Sequence, residues 1–191
     1  IAMALKVKGA RIQTGDGMFW LEVDENAEKL WPQLSAFWSH EGIKIVRNDP
    51  MLGLVETDWA RKLQVDDAAG FIERLFSSTS PDKLDKFKMR IEPEEADART
   101  KIFMSHTGLE KIVEGDDVNW RSRCTEVELE REMLNRLALF VGLDEAQAKK
   151  AFENYQPYAS RVNTAKANNQ ALFITGTMAD VWKRSRQALE R

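Results

Sequence analysis

The chain has 191 residues, room for one domain or for one and part of a second, and its 28 basic and 31 acidic side chains leave a formal charge of −3. With 43% hydrophobic and 31% charged residues it has a globular rather than a disordered composition. The near-neutral balance argues against a nucleic-acid binder, whose phosphate contacts need a net basic surface.

No run reaches the roughly 18 apolar residues of a membrane-spanning helix. No basic stretch followed by an apolar one opens the chain, so any export signal is expected to have been removed. The single cysteine, Cys124, excludes an internal disulfide and any CxxC site. Two histidines, His40 and His106, leave little for metal or acid–base chemistry, and neither a metal nor a cofactor is expected. A disulfide-free chain suits the cytosol and equally a periplasmic domain large enough to need no staples.

Residues 1–17 end in the turn-rich Thr14-Gly15-Asp16-Gly17 and carry too little apolar content for a core element. Met18 to Val23 reads as a strand of aromatic and branched residues. Asp24 and Asn26 are candidate caps for a helix whose apolar stripe is Ala27, Leu30, Trp31, Leu34, Phe37 and Trp38, at spacings of three and four. Pro32 is tolerated only near a first turn, which puts the start of the regular helix close to Lys29 or Leu30. Gly42 is placed to end it with a positive φ.

Ile43 to Arg47 and Leu52 to Ala60 read as strands joined at Asn48-Asp49-Pro50. Residues 61–82 read as a long connection in which Phe71, Ile72, Leu75 and Phe76 could form a short helix before the Ser77–Ser80 loop. Lys86 to Glu92 is the cleanest strand, with Phe87, Met89 and Ile91 on one face and Lys86, Lys88, Arg90 and Glu92 on the other. Pro93 to Asp97 make a turn, and Arg99 to Thr107 form the next strand. Ile112-Val113 extends it or adds a short one beyond Gly108.

Glu126 to Val141 reads as a second helix. Thr125 and Glu128 match a capping box, and Met133, Leu134, Leu137, Phe140 and Val141 form the apolar face. Asp144 to about Tyr155 reads as a further short helix, and Gln156 to Gln170 as a polar linker.

The last twenty residues repeat an earlier part of the chain. Aligned without a gap, Leu21 meets Leu172, Val23 meets Ile174, Leu30 meets Val181 and Trp31 meets Trp182. A lone strand and helix cannot bury their own apolar faces, so the chain is expected to stop one unit into a second domain. The expected organisation is a remnant of an extended segment at 1–17, a domain at 18–142, a short helix and linker at 143–170, and the opening of a second domain at 171–191. An exposed strand edge at the C-terminal end would invite pairing with another copy.

The order β-α-β-β-β-β-α, with hairpin connections and one-sided alternation, predicts an α+β fold with an antiparallel sheet curled around a helix, the helix-grip arrangement. Trp20, Trp31, Trp38 and Trp59 are expected in the core or at its rim. Truncating Trp31 is expected to lower the melting temperature strongly.

Five segments carry a resemblance. Trp20-Leu21, Leu30-Trp31-Pro32-Gln33-Leu34, Glu56-Thr57-Asp58-Trp59-Ala60, Asp85 to Arg90 and Ile102 to Gly108 occur in an order and spacing similar to the N-terminal domain of the NlpB/DapX lipoprotein family. The resemblance covers about residues 18–141, and 171–191 resembles the opening of that family's second domain. It implies a non-enzymatic accessory lipoprotein of outer-membrane β-barrel assembly, on the periplasmic face of the outer membrane. It also implies partnership with a BamD-like lipoprotein and the BamA-centred complex, through an extended segment ahead of the first domain. Cys124 lies mid-chain and is not the lipidated cysteine, so the anchor is expected outside this stretch.

The residues with chemical potential each have a plainer reading. His106 on a strand is expected to be a half-buried polar residue near a sheet edge, since catalysis needs a positioned partner. His40 complements the end of a helix dipole. Glu56 and Asp58 form a solvated face rather than a carboxylate pair. Ser77–Ser80 is a loop rather than a nucleophile, and Cys124 is inert without a histidine partner. Lys83, Lys86, Lys88 and Arg90 are the wet side of a strand, interrupted by Asp82, Asp85 and Glu92. No catalytic, cofactor or metal residues emerge, and partner-binding residues are not readable. The alternative function is a periplasmic carrier gripping a small apolar ligand along the Trp31, Leu34 and Trp38 stripe.

Overall fold

The computed structural model describes residues 7, 9–15, 17–60, 82–94, 98–153, 162–164 and 172–174, with single positions 177, 178, 181, 182 and 185. Its elements are β1 (Arg11–Gly15), β2 (Met18–Val23), α1 (Ala27–His40), β3 (Ile45–Asp49), β4 (Leu54–Thr57) and β5 (Lys83–Glu94). They continue with β6 (Arg99–Glu114), β7 (Asp117–Arg123), α2 (Val127–Phe140), α3 (Glu145–Glu153), β8 (Val162–Thr164) and β9 (Leu172–Ile174). The possible helix at Phe71 to Phe76 and the Ser77–Ser80 loop lie outside the described residues.

Alternation of charged and apolar residues builds the centre of the sheet. β5 buries Asp85, Phe87, Met89 and Ile91, while β6 buries Thr100, Ile102, Met104 and His106 on the same face. The two strands stay in antiparallel register from Lys83↔Glu110 to Glu94↔Arg99. The sheet runs in the order β1-β2-β6-β5-β4-β3, every pairing antiparallel, with β7 also on β6. α2 lies over β6, β2 and β1, α1 over β5 and β3, and α3 reaches β1. This is the α+β arrangement expected, an antiparallel sheet curled around its helices.

Three elements depart from the sequence reading. Residues 11–15, expected to contribute nothing to the core, form strand β1 and bury Ile12. A strand with few apolar residues is held there by its ladder with β2 and by Arg11, which pairs with Glu22 and Asp24. β7 had no counterpart in the predicted order, because its side chains are mostly exposed and give no core signal. Ile112-Val113 belongs to one continuous β6 of 16 residues.

α1 begins at Ala27, earlier than Pro32 suggested. Asn26 caps it by accepting the Lys29 N–H at 2.9 Å, and Leu30 N–H reaches Asn26 O, so the first turn closes ahead of the proline. Pro32 sits inside the helix. Both long helices end alike. Ile43 N–H donates to Trp38 O and Leu143 N–H to Ala138 O, around Gly42 at φ +71° and Gly142 at φ +101°. The expected capping box is not formed: Glu126 is the N-cap of α2 and makes no side-chain cap bond.

Leu30, Leu34, Phe37 and Trp38 of α1 and Met133, Leu134 and Leu137 of α2 meet the sheet in one core. Trp38 stacks tilted on Phe87 at 5.9 Å and edge-on to Phe37 at 5.0 Å. Of the four tryptophans expected in or around the core, Trp38 alone is fully buried. Trp20 and Trp31 are half-buried and Trp59 is 37% exposed. Trp31 lies at the rim because its indole N–H donates to Asn48 Oδ1 at 2.8 Å. Arg136 of α2 ties the helices together by pairing with Glu41, the C-cap of α1, and with Glu132 at 3.0 Å.

β8 and β9 form a separate antiparallel pair. Met178, Val181, Trp182 and Ser185 after it are helical, with Val181 N–H donating to Thr177 O at 2.9 Å.

Candidate functional site

The positions with chemical potential separate into a buried polar cluster and an open sheet face. The cluster arises from a gap in the sheet. One side of β6 carries β2 opposite residues 100–102 and β7 opposite 108–114, which leaves 103–107 without a strand there among the described residues. The N-terminal end of α2 fills that gap. His106 N–H donates to Glu130 Oε1 at 3.0 Å, and Thr125 Oγ1 donates to His106 O at 3.2 Å. The hydroxyl expected to cap α2 therefore serves the strand.

The His106 side chain points inwards, with no solvent exposure. Its Nδ1 accepts the Glu126 N–H at 3.1 Å, which places the ring proton on Nε2, and Nε2 donates to Asp85 Oδ1 at 2.8 Å. Arg123 of β7 pairs with the same carboxylate and with Glu126. His106 is therefore central in the sheet and fully buried, not half-buried near an edge as the sequence suggested. The orientation superficially suits a proton relay. Chemically it is closed, because both ring nitrogens are engaged within the protein and neither meets solvent.

The remaining candidates are dispersed. His40 is exposed at the end of α1, 3.2 Å from Glu41 Oε1. Glu56 faces Lys86 at 3.4 Å, while Asp58 accepts the Trp59 N–H at 2.9 Å and lies 4.0 Å from Lys44. The two carboxylates thus have separate partners. Cys124 is exposed and free, ahead of α2 rather than within it. Lys86, Lys88 and Arg90 share one face of β5, and alternation puts Lys83 on the other. Among the described residues, no group of three or more His, Cys, Asp or Glu is placed to hold a metal. No described helix is long and apolar enough to cross a membrane.

The apolar stripe that a carrier would need is occupied by packing. Leu34, Phe37, Trp38 and Phe87 have at most 1% exposure.

The outer face of the sheet, away from the helices, has a different character. Trp20 and Phe103 lie side by side at 5.9 Å, with the Arg90 guanidinium 4.6 Å over Phe103 and Lys101 Nζ 6.0 Å over Trp20. Around them run ion pairs of Arg11 and Arg99 with Glu22, Arg90 with Glu92, and Lys101 with Glu94. Burial on its own would raise the Glu22 carboxyl. The hydrogen bond and charge of Arg11, with Arg99 beyond, outweigh it and hold the group below the usual carboxylate range. The face thus has Trp20 and Phe103 side by side with paired charges of both signs around them.

The family of the outer membrane protein assembly factor BamC-like N-terminal domain matches residues 3–155. The chain belongs to this family. Among its relatives, the outer membrane protein assembly factor BamC of Accumulibacter regalis is 32% identical over 196 residues, 97% of this chain and 51% of the relative. The BamC of Thiobacillus denitrificans is 32% identical over 190 residues, 95% of this chain and 51% of the relative. An uncharacterized protein of Neisseria meningitidis is 29% identical over 198 residues, 97% of this chain and 48% of its own length. The chain spans about half the length of the curated relatives it matches. The BamC-like match includes β1, the strand that composition alone had set outside the core, and extends through α3.

Proposed function

We propose that the chain is an accessory, non-enzymatic module of the outer-membrane β-barrel assembly complex and acts by protein contact. In this reading it belongs to a lipoprotein on the periplasmic face of the outer membrane. Its partners are a BamD-like lipoprotein and the BamA-centred complex. The observation that carries the reading is the BamC-like family match over residues 3–155. The geometry supports it, because His106, Asp85 and Arg123 are engaged with one another inside the fold. Residues 18–142 with β1 and α3 form the first unit, and β8, β9 and the helical residues after them begin a second of the same kind.

The test is purification of the full-length protein from detergent-solubilised outer membranes. The BamD-like lipoprotein and the BamA barrel are expected in stoichiometric amounts. A preparation that keeps its leader segment intact and yields neither contradicts the proposal.

A further inference from the structure

β7 presents an open edge whose own sequence describes its occupant. β6 and β7 are joined by a two-residue turn, Gly115 at φ +64° and Asp116, closed by Glu114↔Asp117. A two-residue turn with glycine first is the II′ type, and its closing pair is hydrogen-bonded. Bonded and non-bonded pairs alternate along an antiparallel ladder, so residues 117, 119, 121 and 123 bond to β6. Residues 118, 120 and 122 therefore aim their N–H and C=O groups outwards. Among the described residues no strand takes them. The same stretch exposes apolar side chains: Val118 at 54% and Trp120 at 39%, with Val113 opposite Val118 at 60%. Open backbone groups beside apolar side chains form a template for another strand.

We propose that this edge pairs with β7 of a second copy of the chain, antiparallel, about a two-fold axis through Asn119. The register follows from complementarity. Asp117 falls opposite Arg121 of the second copy, Val118 opposite Trp120, and Asn119 opposite Asn119, and the two-fold repeats each match. Both charge pairs are of opposite sign, and both apolar pairs join a β-branched residue to an aromatic one, a combination that sheets favour. Val118 and Trp120, which point their backbone groups outwards, face each other across the axis and exchange four backbone hydrogen bonds. Arg121 is 69% exposed in its side chain, unlike Arg123 at 10%, so its guanidinium is accessible to a partner strand although it also meets Glu110 at 2.7 Å. Centring the axis on Trp120 would need Arg123 opposite Asp117, and Arg123 is committed to Asp85 and Glu126. Centring it on Val118 would put Asp116 against Trp120 and leave the charges unmatched. The interface is isologous and closes at two copies. It is short, so the dimer is weak and grows with concentration.

The experiment uses the full chain. Asn119→Cys, in a Cys124→Ser background, places two thiols at a non-hydrogen-bonded pair, where Cα atoms lie about 4.5 Å apart, within disulfide reach. Mild oxidation is expected to give a covalent dimer, with Ser122→Cys in the same background giving far less. Sedimentation equilibrium is expected to show association that Asp117→Arg weakens roughly tenfold, by making two exposed charge pairs repulsive. The swap Asp117→Arg with Arg121→Asp is expected to restore it, with melting unchanged for Asp117→Arg and slightly lowered for the swap, which gives up the exposed pair with Glu110. A chain that stays monomeric up to near-millimolar concentration, with no more cross-linking from Asn119→Cys than from the control, overturns the proposal. So does a dimer indifferent to the charge reversal.

Discussion

His106 and Asp85 face each other from neighbouring strands at 2.8 Å, both almost without exposure, and the Arg123 guanidinium completes the group from β7. Three strands and the start of α2 converge on this point. Removing one member strands the others, because a buried charge or donor without its partner retains the full cost of its desolvation. His106→Leu leaves Asp85 with Arg123 but strips the Glu126 N–H of its acceptor and Asp85 of one donor, so it is expected to destabilise the fold by about 1–3 kcal/mol in urea unfolding. Replacing Asp85, His106 and Arg123 together by apolar residues of similar volume is expected to cost less than that single change. A His106→Leu protein as stable as the parent contradicts this account of the cluster.

Trp38 and Trp31 make a second contrast. Trp38 is fully buried against Phe37 and Phe87, so Trp38→Ala is expected to cost about 3–5 kcal/mol. Trp31 is half-buried and bonded to Asn48 at the rim, so Trp31→Ala is expected to cost clearly less. The sequence alone predicts a strong loss at Trp31. Thermal melting of the two variants ranks them, and the reverse order contradicts the core described above.

Gly53 has φ +61°, and a side chain there would run into the carbonyl of Ile91, to which Gly53 is bound through Ile91 N–H to Gly53 O at 2.7 Å. Gly53→Val carries the penalty of a left-handed β-branched residue, about 1–3 kcal/mol, besides the collision. A large drop in melting temperature is expected, and an unchanged one would show that the turn between β3 and β4 relaxes freely.

Glu22 gives the pH dependence. Its carboxyl is held below the ordinary value in the folded chain, although burial opposes this, because Arg11 and Arg99 favour the charged form. The unfolded chain binds the proton first as pH falls. The stability from Glu22 is thus fully present above the ordinary carboxylate value and is lost as pH drops through the folded one. Glu22→Gln is expected to be less stable at neutral pH and to lose less on acidification. Parallel melting-temperature profiles for parent and variant would contradict this.

These residues show what was legible in advance. The alternation around Phe87, Met89 and Ile91 and the stripe through Leu30, Leu34 and Phe37 were readable, because burial on one face of a regular element leaves a period in the chain. β1 and β7 were not, because their places come from ladders with β2 and β6 and not from apolar content. The signal available for β7 was the Gly115-Asp116 turn followed by Val118 and Trp120. His106 could be placed on a strand but not in its environment. Its partners are 19 or more residues away on β5 and around the start of α2, and the gap between β2 and β7 brings them together.

The most direct test of a function carried by contact is cross-linking of the full-length protein in intact cells, with the products identified by mass spectrometry. The expected products join surface positions of this domain to the BamD-like lipoprotein and the BamA barrel. Cross-links confined to proteins outside that complex, or an apolar small molecule extracted in stoichiometric amount from the folded protein, would contradict it.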